Sequence, residues 1–512
     1  MIAIAKLTST KLAAVVALAL LGAISLAQDV KLTILHTNDT HGHLLPYSYP
    51  DVFNPGSDLA LLKDRHDIGG AARRSTLVHE IRAEKGHETL LIDAGDICDG
   101  TPLSVEYHGD ADVAAMNAIG YDFACPGNHE FNNTLDQVRH LQEEAKFPMV
   151  SANTVDAGGR SVYPRYVIRQ VGGVWIAVFG LLTYDAHTYP AAKQGLRMEQ
   201  PIDAARELVP ELRKKADIVI AVTHIGVDED EKLAAEVPGI DVIVGGHSHT
   251  LLSKPVLIPH LGDKTPNSIH GTLVVQDFQW AGTLGRLDLT LHHQPAGGWT
   301  VSKYMGSLLP VTKSVPEDPS VVQVVSKFWD PIAAKYGVVV GQADGDFAEK
   351  GSDLAEYNLV CDAVREQIGV DFDIENMGGV RATLPKGPVT FGDLATVDPF
   401  GDKIVTFHAT GKQIKAILVK EMPPVSGIRY TVDDGKLTSA TIDDKPIEDD
   451  RVYFGATNDY YAKFILKGIA DQTVTNKPRL ETTIAYIRKH ATIRPCYDGR
   501  RVIKGDSASP PP

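Results

Sequence analysis

Leu32-Thr33-Ile34-Leu35-His36-Thr37-Asn38-Asp39-Thr40-His41-Gly42-His43 passes from an apolar segment straight into carboxylate, amide and imidazole side chains. Leu32–His36 has the composition of a buried strand. In the loop that follows, Asp39 and His41 alternate and so point the same way. The arrangement recurs four times. Thr89–Ile92 runs into Asp93-Ala94-Gly95-Asp96, and Tyr121–Cys125 precedes Gly127-Asn128-His129-Glu130. Ile218–Thr223 leads to His224-Ile225-Gly226, and Val242–Val244 leads to Gly245-Gly246-His247-Ser248-His249. A lone histidine after a strand is usually structural, but five such loops in order are not. Carboxylates, imidazoles and an amide oxygen without thiolate suit borderline divalent ions. Two ions roughly 3.5–4 Å apart need a bridging ligand, and a carboxylate ending a central strand suits that role.

Working outward, further strands are expected at Met149–Ala152 and Trp175–Leu181, with helices at Gly69–Glu84, Leu135–Ala145 and Ile202–Lys215. This alternation predicts an α/β architecture with its chemistry at strand C-termini. Consecutive strands over Thr272–Leu291 break simple doubly wound order. Proline-punctuated Pro310–Pro319 marks a boundary, Ser320–Tyr336 repeats apolar residues at helical spacing, and a second α+β region follows from Val338 to Ile503. The tail, 504–512, ends in three prolines and is expected to be disordered.

At 512 residues, 43% hydrophobic and 22% charged, the chain is long enough for two cores. Its formal charge of −15 argues against sequence-independent binding to long nucleic acid. Lys6 and Lys11 precede an apolar run, Leu12–Leu26, and Ser25-Leu26-Ala27 offers a peptidase site. Residues 1–27 therefore read as a signal peptide, leaving no stable membrane anchor and a periplasmic or secreted product. Cleavage after Ala27 would take the charge from −15 to −17. Four cysteines (Cys98, Cys125, Cys361 and Cys496) lack CxxC spacing, and their pairing stays open.

The ordered set DxH, GD, GNHE, H and GHxH resembles the calcineurin-like metallophosphoesterases, and His36–Leu44, Gly127–Phe131 and Gly245–His249 resemble their 5′-nucleotidase branch. Asn376-Met377-Gly378-Gly379-Val380-Arg381 and Asp398-Pro399-Phe400-Gly401-Asp402 resemble that branch's nucleoside-binding domain. The resemblance implies an α/β fold class: an N-terminal four-layer αββα metallophosphoesterase domain over 28–310, a linker and linker helix over 311–337, and a C-terminal α+β nucleotide-binding domain over 338–503. It implies two divalent ions (Zn, Mn, Fe or Co), one held by Asp39, His41, Asp96 and His249. The other would be held by Asp96, Asn128, His224 and His247, with Asp96 bridging. The substrate would be a small nucleotide, hydrolysed by in-line attack of water on phosphorus. His129 would stabilise the transferring phosphoryl group, with Asn376, Arg381, Phe400, Asp402 and Tyr460 binding substrate. Oligomeric state is not readable.

Three departures stand out. The family's catalytic histidine has an Asp three residues later; here Asn132 can orient the ring but adds no charge. That form resembles the 2′,3′-cyclic-nucleotide phosphodiesterases with 3′-nucleotidase activity, which makes them the alternative reading. Ala456-Thr457-Asn458-Asp459-Tyr460 supplies one wall of an aromatic clamp opposite Phe400, but Phe464-Ile465-Leu466-Lys467-Gly468 stands where the family has a GGDGY-like stretch. The family's further arginines are absent from Ser352–Leu359. A sulfur-oxidation thiosulfohydrolase acting on a carrier protein is a further alternative within the superfamily. A binding module that merely kept the fold is disfavoured, since uncompensated acids and histidines are costly without metals.

Overall fold

The computed structural model describes residues 29–48, 66–85, 88–260, 269–295, 297–469 and 471–505. The expected signal peptide lies outside the described residues. Among those described, no helix is long and apolar enough to cross a membrane.

Strand Val30–Thr37 pairs in parallel with Thr89–Asp93, which pairs in parallel with Phe123–Ala124. On its other side it pairs antiparallel with Thr283–His293, and Trp299–Pro310 closes that sheet. A second, six-stranded sheet is built around the parallel set Val174–Leu182, Ile218–His224, Val242–Gly245 and Gly271–Val275. The two-residue period divides each strand between two cores. Leu32, Ile34, Leu90 and Ile92 face Ile176, Val178, Ile220 and Val244 of the other sheet. Leu35 and Leu91 face outward onto a cluster with Val78 of helix Ala71–Lys85 and Val113 of helix Asp110–Ile119. Ala177, Phe179, Val219 and Ala221 likewise face Leu208 of helix Pro201–Leu212 and Leu233 of helix Val227–Glu236. Four layers result: helices, sheet, sheet, helices.

The consecutive strands expected over 272–291 fall in different sheets, Gly271–Val275 in one and Thr283–His293 in the other. Met149–Ala152 forms no strand; it contributes one bridge, Met149 to Ala124. All four cysteines are free thiols, so Cys98 and Cys125 do not pair.

Helix Pro319–Tyr336 starts where the Asp318 side chain accepts from the Ser320 N–H, with Pro319 in the first turn where its missing N–H costs nothing. Beyond it, Lys403–Thr410 and Val452–Asn458 form the centre of a five-stranded sheet, flanked by helices Ala355–Ile368 and Arg479–His490. Ordered structure ends later than expected. Arg501–Lys504 pairs in parallel with Ile428–Asp433, so Lys504 belongs to a strand and not to the tail; residues 506–512 lie outside the described residues.

Candidate metal centre and substrate cleft

Every one of the five loops follows a parallel strand, so all emerge at one edge of the two sheets, as C-terminal ends of parallel strands must. The first two loops are stitched together by backbone bonds. Asp39 N–H donates to the Gly95 carbonyl at 2.9 Å, His41 to Asp96 at 3.0 Å and Gly42 to Ile97 at 3.0 Å. Five of the seven candidate ligands, Asp39, His41, Asp96, His247 and His249, have positive φ between 44° and 79°. Asp and His tolerate that conformation better than most residues, and such strain concentrates at functional sites. Gly127 is required by close approach: a Cβ there would collide with the Asp96 carboxylate.

Three groups of ligand atoms, each within 4.8 Å, form a chain: Asp39, His41 and His249; His41, Asp96 and His129; Asp96, His224 and His247. Asp96 sits centrally, its Oδ2 3.1 Å from His224 Nε2 and 3.7 Å from His41 Nε2. Asn128 Oδ1 lies 3.2 Å from His224 Nε2. All seven candidate ligands therefore converge.

Residues outside the expected set hold these groups in place. His224 Nδ1 bonds the Ala94 carbonyl at 2.7 Å, and His249 Nδ1 bonds Gln279 Oε1, so each ring turns Nε2 into the site. Asn128 Nδ2 donates to the Tyr189 hydroxyl at 2.8 Å, which leaves Oδ1 facing His224. Burial holds the Tyr189 phenol well above its ordinary pKa, so it stays protonated.

The polarity of this centre fits divalent cations. His41 Nε2 faces His249 Nε2 at 3.2 Å, and Asp39 Oδ1 is buried with no hydrogen-bond partner. Burial alone would raise Asp96, but the His224, His129 and His41 imidazoles hold it well below the carboxylate range. Burial, then Arg381, keeps His41 far down, and burial with His224 takes His247 to about 4, so both favour the neutral, ligating ring. His224 is lowered by burial yet carried to about 10 by Asp96 and Asp39. A proton there occupies the place a cation would take.

Glu130 has a role that its motif does not disclose. Fully enclosed, its carboxylate accepts from the N–H groups of Asp96 (3.1 Å), Ile97 (2.9 Å), Cys98 (3.1 Å) and Gly127 (2.5 Å). It clamps the second ligand loop to the third. In Glu130→Gln an amide NH₂ would confront buried N–H donors. Leaving one or two of them unsatisfied costs about 2–4 kcal/mol. Denaturant unfolding should register that loss, and metal titration should show weaker binding. A variant of wild-type stability and affinity would contradict the clamp.

The substrate candidates divide into two sets. Arg381 Nη2 reaches 3.1 Å from His41 Nε2, and Phe400 packs against His129 with ring centroids 6.1 Å apart. Both bring the second half of the chain to the metal centre. Tyr460 lies exposed on the short helix Asp459–Ile465, its ring against Phe464. Asn376 and Asp402 instead join a buried network around Arg479. Asn376 Oδ1 accepts from Asn458 Nδ2 at 2.8 Å, while Asp402 Oδ2 lies 3.4 Å from Arg479 Nη2. Burial pushes the Asp402 carboxyl up to about 6.

Residues 32–251 match the calcineurin-like phosphoesterase family, and residues 339–464 match the 5′-nucleotidase C-terminal domain. A 5′-nucleotidase of Vibrio vulnificus is 30% identical over 83% of this chain and 83% of its own. The trifunctional nucleotide phosphoesterase YfkN of Bacillus subtilis is 30% identical over 84% of this chain, which spans only 31% of that longer protein. The solved 5′-nucleotidase precursor of Thermus thermophilus superposes with a TM-score of 0.83 at 27% identity, covering 93% of this chain and all of that one. With both halves matched in order and a full-length relative at this identity, the chain belongs to the 5′-nucleotidase family of calcineurin-like metallophosphoesterases, which are metal-dependent phosphoric ester hydrolases.

Proposed function

We propose that the protein is a periplasmic or secreted nucleotide phosphohydrolase, acting first on 5′-nucleotides. The observation that carries this reading is the meeting of Arg381 and Phe400 with His41 and His129 at one cluster. A cation-binding centre, a guanidinium and an aromatic face within one cleft match a phosphate joined to a nucleoside. The extracytoplasmic location rests on the leader-like pattern of residues 1–27.

Asp39, His41, Asp96 and His249 would hold one divalent ion, and Asp96, Asn128, His224 and His247 the other. Bound there, two such ions supply Lewis acidity, activating water near neutral pH and offsetting charge on phosphoryl oxygens. Around them the chain's own groups do the positioning. Arg381 grips two phosphoryl oxygens in the fork its planar guanidinium provides. His129 offers a ring N–H to the transferring group. Phe400 stacks on the base, and Tyr460 closes from the second domain. Tyr189, kept protonated, holds the Asn128 amide oxygen toward the centre.

A second reading, cyclic-nucleotide phosphodiesterase with 3′-nucleotidase activity, is favoured by Asn132 and by the similarity to a trifunctional nucleotide phosphoesterase. Phosphate release from 5′-, 3′- and 2′,3′-cyclic nucleotides, with added manganese or zinc, separates the two. Fastest turnover of 5′-monophosphates, lost on chelation and restored by metal, is expected. Preference for the cyclic substrates would establish the second reading, and hydrolysis of none would overturn both.

A further inference from the structure

We propose that Asp99 is a positioning residue that fixes the tautomer of His129 by orienting the Asn132 amide. The functional consequence rests on the reading above; the tautomer itself does not. Residues 129–132 form a single 3₁₀ turn, in which side chains three apart stand over one another. Asn132 therefore lies against the His129 ring, its Nδ2 2.9 Å from His129 Nδ1. The same Nδ2 donates to Asp99 Oδ2. Asp99 itself has φ of +64°, and its N–H donates to the Ser104 hydroxyl at 2.9 Å, which anchors the turn presenting its carboxylate. The side chains of Asp99 and His129 are only 13% and 11% exposed, and Asp99 Oδ2 also lies 3.5 Å from His129 Nδ1, a longer approach than the amide's.

The donor and acceptor inventory settles the rest. A carboxylate only accepts, so the end of the Asn132 amide that meets Asp99 is the NH₂. Because that nitrogen also meets His129 Nδ1, the ring nitrogen has to accept. A ring nitrogen that accepts carries no proton, so in the neutral ring the proton sits on Nε2. His129 then presents an N–H toward the cluster it shares with His41 and Asp96. Without Asp99 the amide can turn over and offer Oδ1 to the ring. That stabilises the opposite tautomer, whose Nε2 lone pair would face phosphoryl oxygens. Asp99 thus removes an ambiguity that an asparagine alone leaves open. Losing a partner of this kind typically lowers turnover about ten- to a hundred-fold.

The tautomer can be read without any substrate. Ring-¹⁵N-histidine spectra of the zinc-loaded and metal-free protein, with His129→Gln to assign the signal, are expected to show an unprotonated Nδ1 and a protonated Nε2. A wild-type spectrum with the proton on Nδ1 overturns the proposal outright, whatever any variant does. Asp99→Ala is expected to mix the two tautomers and to lower kcat about ten- to a hundred-fold, with KM and metal content unchanged. Asn132→Ala should lower kcat comparably, and the double variant should be no worse than either single, because both act through one ring. Additive losses, or an Asp99→Ala protein with unchanged spectrum and kcat, would refute it. If the wild type hydrolyses no nucleotide, the functional reading falls while the tautomer result still stands or fails on its own.

Discussion

Asp96→Ala is expected to lower phosphate release by at least about 10³-fold and to empty both metal positions, not one. Of the two candidate ligands that belong to two groups, His41 and Asp96, only Asp96 reaches the group of His224 and His247. Asp96 belongs to two of the three ligand groups, and its Oδ1 also accepts from the His129 N–H at 2.8 Å. Its removal takes away a shared ligand and the contact that sets the third loop. It also leaves His224, His41 and His129 facing one another without the charge that offsets them. His247→Ala, by contrast, removes a ligand from one group only and should spare one ion. Metal content of the purified variants, measured beside turnover, checks the difference. An Asp96→Ala protein holding two ions, or active within ten-fold of wild type, would contradict the bridging role.

The second large effect is on stability. Arg479 opens helix Arg479–His490 and has no exposed surface. Nε and Nη2 grip Asp398 at 2.8 and 2.7 Å, Nη1 donates to Glu375 at 2.5 Å, and Nη2 also reaches the Gly379 carbonyl at 2.8 Å. Arg479→Ala would strand Glu375, Asp398 and Asp402 in a site that cannot solvate them. Breaking a buried pair from one side costs about 3–5 kcal/mol. Urea unfolding should show that loss, and a change below about 1 kcal/mol would contradict the network. Arg479→Lys should recover little, because an ammonium cannot reproduce the two-pronged grip. The network also joins the two segments that carry Arg381 and Phe400 to the metal centre, 376–381 and 398–402. A folded Arg479 variant should therefore show a raised KM as well.

How much of this was legible in the sequence depends on range. The ligand loops were, because each is a local statement: an apolar strand, then a carboxylate, histidine or amide beside glycine. Strand and loop are adjacent in the chain, so periodicity alone places Asp39, Asp96, Asn128, His224 and His247 at strand ends. The proline-punctuated stretch Pro310–Pro319 and the helical spacing of Ser320–Tyr336 signalled the linker helix in the same local way. Met149–Ala152 misled for the opposite reason. Its apolar run makes single backbone bonds to Ala124 of one sheet and Gly180 of the other and forms only one bridge, which composition does not distinguish from a strand.

The partners of these residues were not legible. Asp99 and Asn132 are separated by 33 residues, Asn128 and Tyr189 by 61, and Arg479 and Glu375 by 104. Nothing in a local window links such pairs. Asn132 read alone as a lost charge, and only the folded turn shows a carboxylate supplied from the neighbouring loop. Likewise, the place of Asn376 and Asp402 in the network around Arg479 rests on contacts across the fold that residue type does not disclose. The sequence by itself determined an α/β architecture, the order of the ligand loops and the chemistry of the donors, since these follow from periodicity and residue type, while the four-layer arrangement was implied only by resemblance to a known family. Tertiary structure alone decided which groups orient, clamp and neutralise those donors. Such contacts exist only once strands distant in the chain are brought to one edge.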